Sequence, residues 1–240
     1  MKRTRLKFNE VISRVLFVCV LISTALVVRK EFFVEEHSFE EGTKDWKATY
    51  VEGWEDALAL GLRVGSSSAP VQVVEFSDYQ CPYCAKFEEI VQKVRIRFSN
   101  NVAFTFVPYP LVYHPQAQSA ERAAECAYRQ GRFDVMRSVI YANQAIFDDE
   151  PWDKFAEQAG VDRPAQYREC MQELEDSDRI RRSLALADRL GVQGTPTILI
   201  NGWKWPVPPT LEHFDMVVEN VANGKLPAAD IDFFKYFAQD

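Results

Sequence analysis

The apolar positions of this chain form one unbroken run near the start and then alternate between strand-like and helix-like spacing. Val71, Val73, Val74 and Phe76, with Glu75 among them, read as a buried strand. A short polar turn, Ser77-Asp78-Tyr79-Gln80, leads into Cys81-Pro82-Tyr83-Cys84, after which Phe87, Ile90, Val91 and Val94 repeat at helical spacing. A CxxC sequence therefore stands where a strand hands over to a helix. Residues 101–109 alternate, with Val102, Phe104 and Phe106 on one face, and predict a second strand stopped by Pro108 and Pro110.

A helical block follows. Residues 116–130 place Ala120, Ala123, Ala124 and Ala127 on one face, with Gly131 as the stop. Phe133, Met136, Val139, Ile140 and Phe147 predict a second helix, and Trp152, Phe155, Ala156 and Ala159 a third before Gly160. Residues 164–171 form a short fourth carrying Cys170, and Ser177 reads as the N-cap of a fifth with Ile180, Leu184, Ala187 and Leu190 inward. The chain then returns to strand at 194–200, turns at Asn201-Gly202, and pairs back over 203–207. Residues 208–224 predict a last helix with Leu211, Phe214, Val217, Val218 and Val221 inward, and residues 226–240 are aromatic with no clear period.

Charge and hydropathy set the ends apart from the body. Lys2, Arg3, Arg5 and Lys7 precede a run from 15 to 28 that only Ser23 and Thr24 interrupt, and Arg29-Lys30 closes it. A basic leader followed by such a run predicts a signal anchor over residues 1–30, with the body exported. Ser23-Thr24-Ala25 keeps a cleaved signal peptide open as the alternative. Beyond residue 30 there are 21 basic and 34 acidic residues, which argues against nucleic acid as a partner. Residues 31–69 read as a stalk and lead-in, holding the body off the membrane.

Five cysteines are present, and Cys19 lies inside the apolar run. The remaining four are an even number in an exported body, which suggests disulfides. The adjacency of Cys81 and Cys84 makes them a natural pair and leaves Cys126 with Cys170; two buried free thiols are the alternative for that second pair. At the start of a helix, unpaired backbone N–H groups and the positive end of the macrodipole favour thiolate over thiol at Cys81. Cys84 is one turn further in and more shielded. Pro82 is tolerated in the first turn, where its missing N–H has no helical partner.

The order strand, CxxC, helix, strand, helical block, Thr-Pro strand, strand, helix resembles the thioredoxin superfamily, and within it the DsbA-like branch. The likeness is carried by residues 74–84, by His114-Pro115 with the Ala-rich helix bearing Cys126, by Gln130-Gly131-Arg132-Phe133, and by Gly194-Thr195-Pro196-Thr197. It implies an α/β thioredoxin fold over 70–112 and 192–225, interrupted by a helical insertion over 113–191 and followed by a tail at 226–240. It also implies an extracytoplasmic thiol–disulfide oxidoreductase. Cys81 would form the mixed disulfide with substrate and Cys84 would resolve it. Pro196 would be cis against the sulfurs, and the backbone of Thr195 would pair with an extended substrate, with Pro82 and Tyr83 completing the contact surface. Glu75 matches the family's buried acid and is read as the proton acceptor for Cys84, a structural carboxylate being the alternative.

No cofactor beyond the Cys81–Cys84 couple is expected, nor a metal. The expected partners are exported proteins with thiols or disulfides and a membrane redox partner that resets the couple. The resemblance implies a disulfide donor; Tyr83 brings no positive charge to the couple and argues against extreme oxidising power, so a reductase or isomerase, or a non-catalytic binding module on the same fold, are the alternatives. Four cysteines could also hold zinc, a reading that the scarcity of histidine disfavours.

Overall fold

The computed structural model describes residues 47–147, 151–173 and 178–233. The expected signal anchor over 1–30, the Ser177 cap and residues 234–240 lie outside the described residues. Among the described residues six strands form one mixed sheet: β1 (Thr49–Tyr50), β2 (Leu62–Val64), β3 (Val71–Ser77), β4 (Val102–Pro108), β5 (Thr197–Ile200) and β6 (Trp203–Lys204), in the order β1-β6-β5-β3-β4-β2. Only β3 and β4 are parallel, and they are joined by helix α2 (Pro82–Arg97), because a parallel pair needs a crossover. β5 lies antiparallel on the other side of β3, with Glu75 opposite Ile198 there and opposite Phe106 on β4.

The central strand has apolar neighbours on both faces. Val74 and Phe76 point toward helices α1 (Glu55–Leu60) and α7 (Asp178–Arg189), in a core with Trp54, Ala57, Leu186, Ala187, Val192 and Leu199. Side chains alternate along a strand, so Val73 and Glu75 point the other way, toward α2 and the last helix, α8 (Leu211–Ala222). Phe104 meets Phe214 of α8 on that side, ring centroids 5.9 Å apart.

Between β4 and α7 the chain forms α3 (Ala117–Tyr128), α4 (Phe133–Ala142), a 3₁₀ turn (Gln144–Ile146), α5 (Trp152–Gln158) and α6 (Pro164–Glu173). Cys126 on α3 and Cys170 on α6 are bonded to each other, S–S 2.03 Å. That bond takes both sulfurs out of any four-cysteine zinc set.

Several sequence expectations need correction. Residues 49–64, read as part of a stalk and lead-in, build β1, α1 and β2, the two outer strands of the sheet and a covering helix. Phe147 falls beyond α4, which ends at Ala142, and packs from the following turn against Phe155 and Trp152. Leu184 of α7 is exposed, and Ser183 and Leu186 face inward instead, while Ala187 and Leu190 are buried as expected. The strand expected over 203–207 is two residues long. On α8 the buried positions are His213, Phe214, Val217 and Asn220, with Leu211, Val218 and Val221 only half-buried. At the β5–β6 turn Asn201 and Gly202 both have positive φ, 47° and 83°, and a Cβ on Gly202 would come within 2.6 Å of the Trp54 indole nitrogen.

Candidate active site

Cys81 is the N-cap of α2 with extended backbone, and Pro82 is the first helical residue. The turn before it is held by its own polar groups. Asp78, fully buried, accepts the N–H of Gln80 at 2.7 Å and the N–H of Leu111 at 2.7 Å, and its Oδ2 lies 2.8 Å from His114 Nδ1. Gln80 Oε1 accepts the N–H of Gln116 at 2.5 Å, and Gln144 Nε2 donates to the carbonyls of Tyr79 (2.7 Å) and Cys81 (3.1 Å). The junction between β3 and α2 is thus fastened to the start of the helical insertion and to its 3₁₀ turn. The segment read as a polar turn is in fact largely buried: Asp78 and Tyr79 have almost no exposure.

Both cysteines are free thiols. Cys81 Sγ lies 3.4 Å from the Thr195 carbonyl oxygen, and the Thr195-Pro196 bond is cis. The loop before β5 is therefore brought against the first cysteine. Pro82 and Tyr83 are exposed beside it, with Lys86 Nζ 5.6 Å from the centre of the Tyr83 ring. A hydrogen bond from the Cys84 thiol brings the Cys81 thiol down to about 5; burial opposes this, and Thr195 with the N–H groups of Cys84 and Tyr83 adds to it. Burial pushes the Cys84 thiol well up, and its donation to Cys81 and the nearby Glu75 push it further. The pair is split by position. One sulfur is ready as a thiolate and the other holds its proton.

Glu75 is fully buried on β3, and neither carboxylate oxygen has a hydrogen-bond partner. Burial pushes its pKa up to about 8, with Arg137 opposing and Glu88 and Cys81 adding. It is brought into the same buried space as Cys84, whose thiol it influences. Sequence reading missed three residues here. Arg137, 1% exposed, has its Nη2 2.5 Å from Glu88 Oε2 and 3.6 Å from Glu75 Oε2. Gln144 holds the turn, and Glu121 of α3 is a further buried carboxyl, raised by burial to about 8. For Arg137 and Glu121 the signal available was only a charged residue at an inward helical position, and Gln144 in the 3₁₀ turn gave none. Cys126 and Cys170 lie in the insertion and are paired with each other, separate from the Cys81–Cys84 couple. Two thiols of unequal acidity beside a protonatable acid are suited to thiol–disulfide exchange, which needs a nucleophilic thiolate and somewhere to move one proton.

Comparison with known proteins agrees with this geometry. The sequence profile of the family described as thioredoxin matches residues 59–220. Among solved structures, BdbD from Bacillus subtilis in its oxidised form superposes with a TM-score of 0.61 at 21% identity, over 75% of this chain and 100% of that one. A thioredoxin-like oxidoreductase from Silicibacter pomeroyi superposes with a TM-score of 0.58 at 26% identity, over 70% of this chain and 97% of that one. Among curated sequences, a Na(+)/H(+) antiporter, NhaA 3 of Salinispora tropica, is 33% identical over 155 residues, 64% of this chain and 24% of the antiporter. The matched region is thus about a quarter of that relative's length. The extent of the profile match, together with the strand, CxxC, helix and cis-proline arrangement, shows that this chain belongs to the thioredoxin family, with a block of helices inserted between β4 and β5.

Proposed function

We propose that this chain is an extracytoplasmic thiol–disulfide oxidoreductase that donates the Cys81–Cys84 disulfide to exported proteins. The observation that supports the reading best is the split between the two thiols, Cys81 down to about 5 and Cys84 pushed up. A stabilised Cys81 thiolate favours the reduced enzyme, and a couple whose reduced form is favoured is a strong oxidant. The stabilisation comes from Cys84, Thr195 and backbone N–H groups, so Tyr83 need not carry a charge.

In the donor direction a substrate thiolate attacks Cys81 Sγ, the Cys81–Cys84 bond breaks, and Cys84 leaves and takes a proton. A second substrate thiolate then attacks the mixed disulfide, and the substrate departs oxidised while the couple is left as a dithiol. Glu75 is the proton donor to Cys84 when the bond opens and the acceptor when it closes. Pro82, Tyr83, Thr195 and Pro196 form the contact surface for an extended substrate. Residues 1–30 tether the body to the membrane, with the body on the periplasmic or extracellular side, and a membrane redox partner reoxidises the couple.

The test is the equilibrium reduction potential of the couple, titrated against glutathione. A value near ~−120 mV supports a disulfide donor, and one near ~−270 mV makes the chain a reductase that needs an electron source. Failure of the couple to titrate would leave a binding module.

A further inference from the structure

Arg137 is the largest of the side chains with under 2% exposure among the described residues. It comes from α4 of the insertion and reaches β3 and α2 together. Its guanidinium carbon lies 3.3 Å from the centre of the Phe106 ring, with the rings of Tyr79, Phe133 and Tyr141 at 5.4 to 5.9 Å. Two carboxylates face this one cation, and they are treated unequally. Glu88 is bonded by Arg137 Nη2 at 2.5 Å, by Gln92 Nε2 at 2.6 Å and by Ser138 Oγ at 3.3 Å. Glu75, at 3.6 Å, is too far for a hydrogen bond, and Arg137 Nη1 has no hydrogen-bond partner.

We propose that Arg137 is a positioning residue that sets how readily Glu75 takes the Cys84 proton, with Glu88 competing for its charge. The inserted helices thereby control the step at Cys84. This inference rests on the reading of Glu75 as the proton acceptor for Cys84. In that step, with a mixed disulfide at Cys81, Cys84 passes its proton to the Glu75 carboxylate and its sulfur bonds Cys81. The bond from Cys81 to the substrate sulfur breaks, and the substrate sulfur leaves as a thiolate.

Among the described residues Arg137 is the one positive group that acts on Glu75. From α2 come Glu88, Cys81 and Cys84, and from α4 come Arg137 and Tyr141. Tyr79 lies beyond the guanidinium, β4 and β5 place Phe106 and Ile198 beside Glu75, and α8 contributes Phe214 to the same face. Burial and the negative neighbours resist ionisation of Glu75, and only Arg137 favours it. A cation committed to Glu88 is a weaker partner for Glu75 than one released from it.

The experiment loads Cys81 with a chromogenic aryl thiol as a mixed disulfide and follows release of that thiol by Cys84 as a function of pH. In the wild type the release rate rises with pH through an inflection that belongs to Glu75. Glu88→Gln frees the guanidinium for Glu75, and the inflection moves down with faster release at pH 7. Glu88→Gln combined with Arg137→Met removes both members of the bonded pair, so no lone buried charge is left between them. The inflection then moves up, with release at pH 7 slower by about tenfold for each unit.

Shifts of the same sign in both variants, or no shift in either, would overturn the inference while leaving the exchange reading intact. Should the double variant not fold, Glu88→Gln combined with Arg137→Gln takes its place: an inflection above the wild-type position supports the inference, and one that falls as it does in Glu88→Gln alone overturns it, because loss of the Glu88 charge by itself already lowers the inflection. Glu75→Gln separates the two levels. If that variant keeps the inflection, the proton-acceptor reading fails and takes the inference with it.

Discussion

Nδ1 of His114 lies 2.8 Å from Oδ2 of Asp78, joining the segment that opens the helical insertion to the turn that presents Cys81. The same carboxylate oxygen accepts the Leu111 N–H, and the other oxygen accepts the N–H of Gln80. Asp78→Ala removes all three contacts and leaves donors without partners in a buried site. Its expected cost is about 2–4 kcal/mol in urea unfolding, against about 1 kcal/mol for His114→Ala, which strips one contact from a half-buried ring.

Glu75 gives a pH dependence with a definite sign. Its folded pKa, about 8, is above its unfolded value, so the folded state binds more protons across that interval and loses stability as pH rises from about 4.5 to 8. Glu75→Gln is expected to stabilise the reduced protein by roughly 1–3 kcal/mol at pH 8 and to change little at pH 4. Thermal unfolding of both proteins at the two pH values checks this. Equal effects at both would mean that the Glu75 pKa is the same in the folded and unfolded states.

His213 works at the other end of the scale. Burial lowers its pKa to about 4, and its Nδ1 accepts the N–H of Thr210 at 3.0 Å to cap α8. The unfolded state binds its proton near pH 6.5, so this contribution to stability is complete above that value and is lost as pH falls toward 4. Acid unfolding of His213→Gln should therefore begin at a lower pH than in the wild type, even if the variant is less stable at pH 7.

The Cys126–Cys170 bond closes a span of 44 residues within the insertion. Replacing both cysteines by Ala is expected to cost about 2–4 kcal/mol, read as a lowered unfolding midpoint. The acidity of Cys81, followed by thiolate absorbance, should stay near 5 in that variant, because every group that sets it lies elsewhere.

Legibility followed element length and the strength of the pattern. The β3, CxxC, α2 and β4 series could be read because seven-residue apolar strands and a sixteen-residue helix carry enough period to show themselves. β1, with two residues, and β2, with three, cannot display alternation, and tertiary pairing alone makes them strands. Arg137 was invisible for a different reason. In the helix FDVMRSVIYA an arginine looks like the solvent side, and only its two carboxylates and the rings around it turn it inward. The α7 sequence misled similarly: Leu184 is more apolar than Ser183, yet Ser183 Oγ can bond the Ile180 carbonyl at 2.7 Å and so be buried cheaply. In the site itself the cysteines announced themselves by spacing. Glu75 and Thr195, which act on the thiols, could be named from the family resemblance, whereas Arg137, which acts on Glu75, comes from the insertion at a separation along the chain that local pattern does not reach.

The placement of β1 and β2 bears on how the chain is made. β1 pairs with β6, and β2 with β4, so one short stretch, residues 49–64, closes the sheet along both of its margins. β2 finds its neighbour early, but Thr49 and Tyr50 have none until Trp203 and Lys204 have emerged. During synthesis or passage across a membrane, the margin at β6 therefore closes only after nearly the whole chain has appeared, and until then the growing sheet is open to wrong partners on that side.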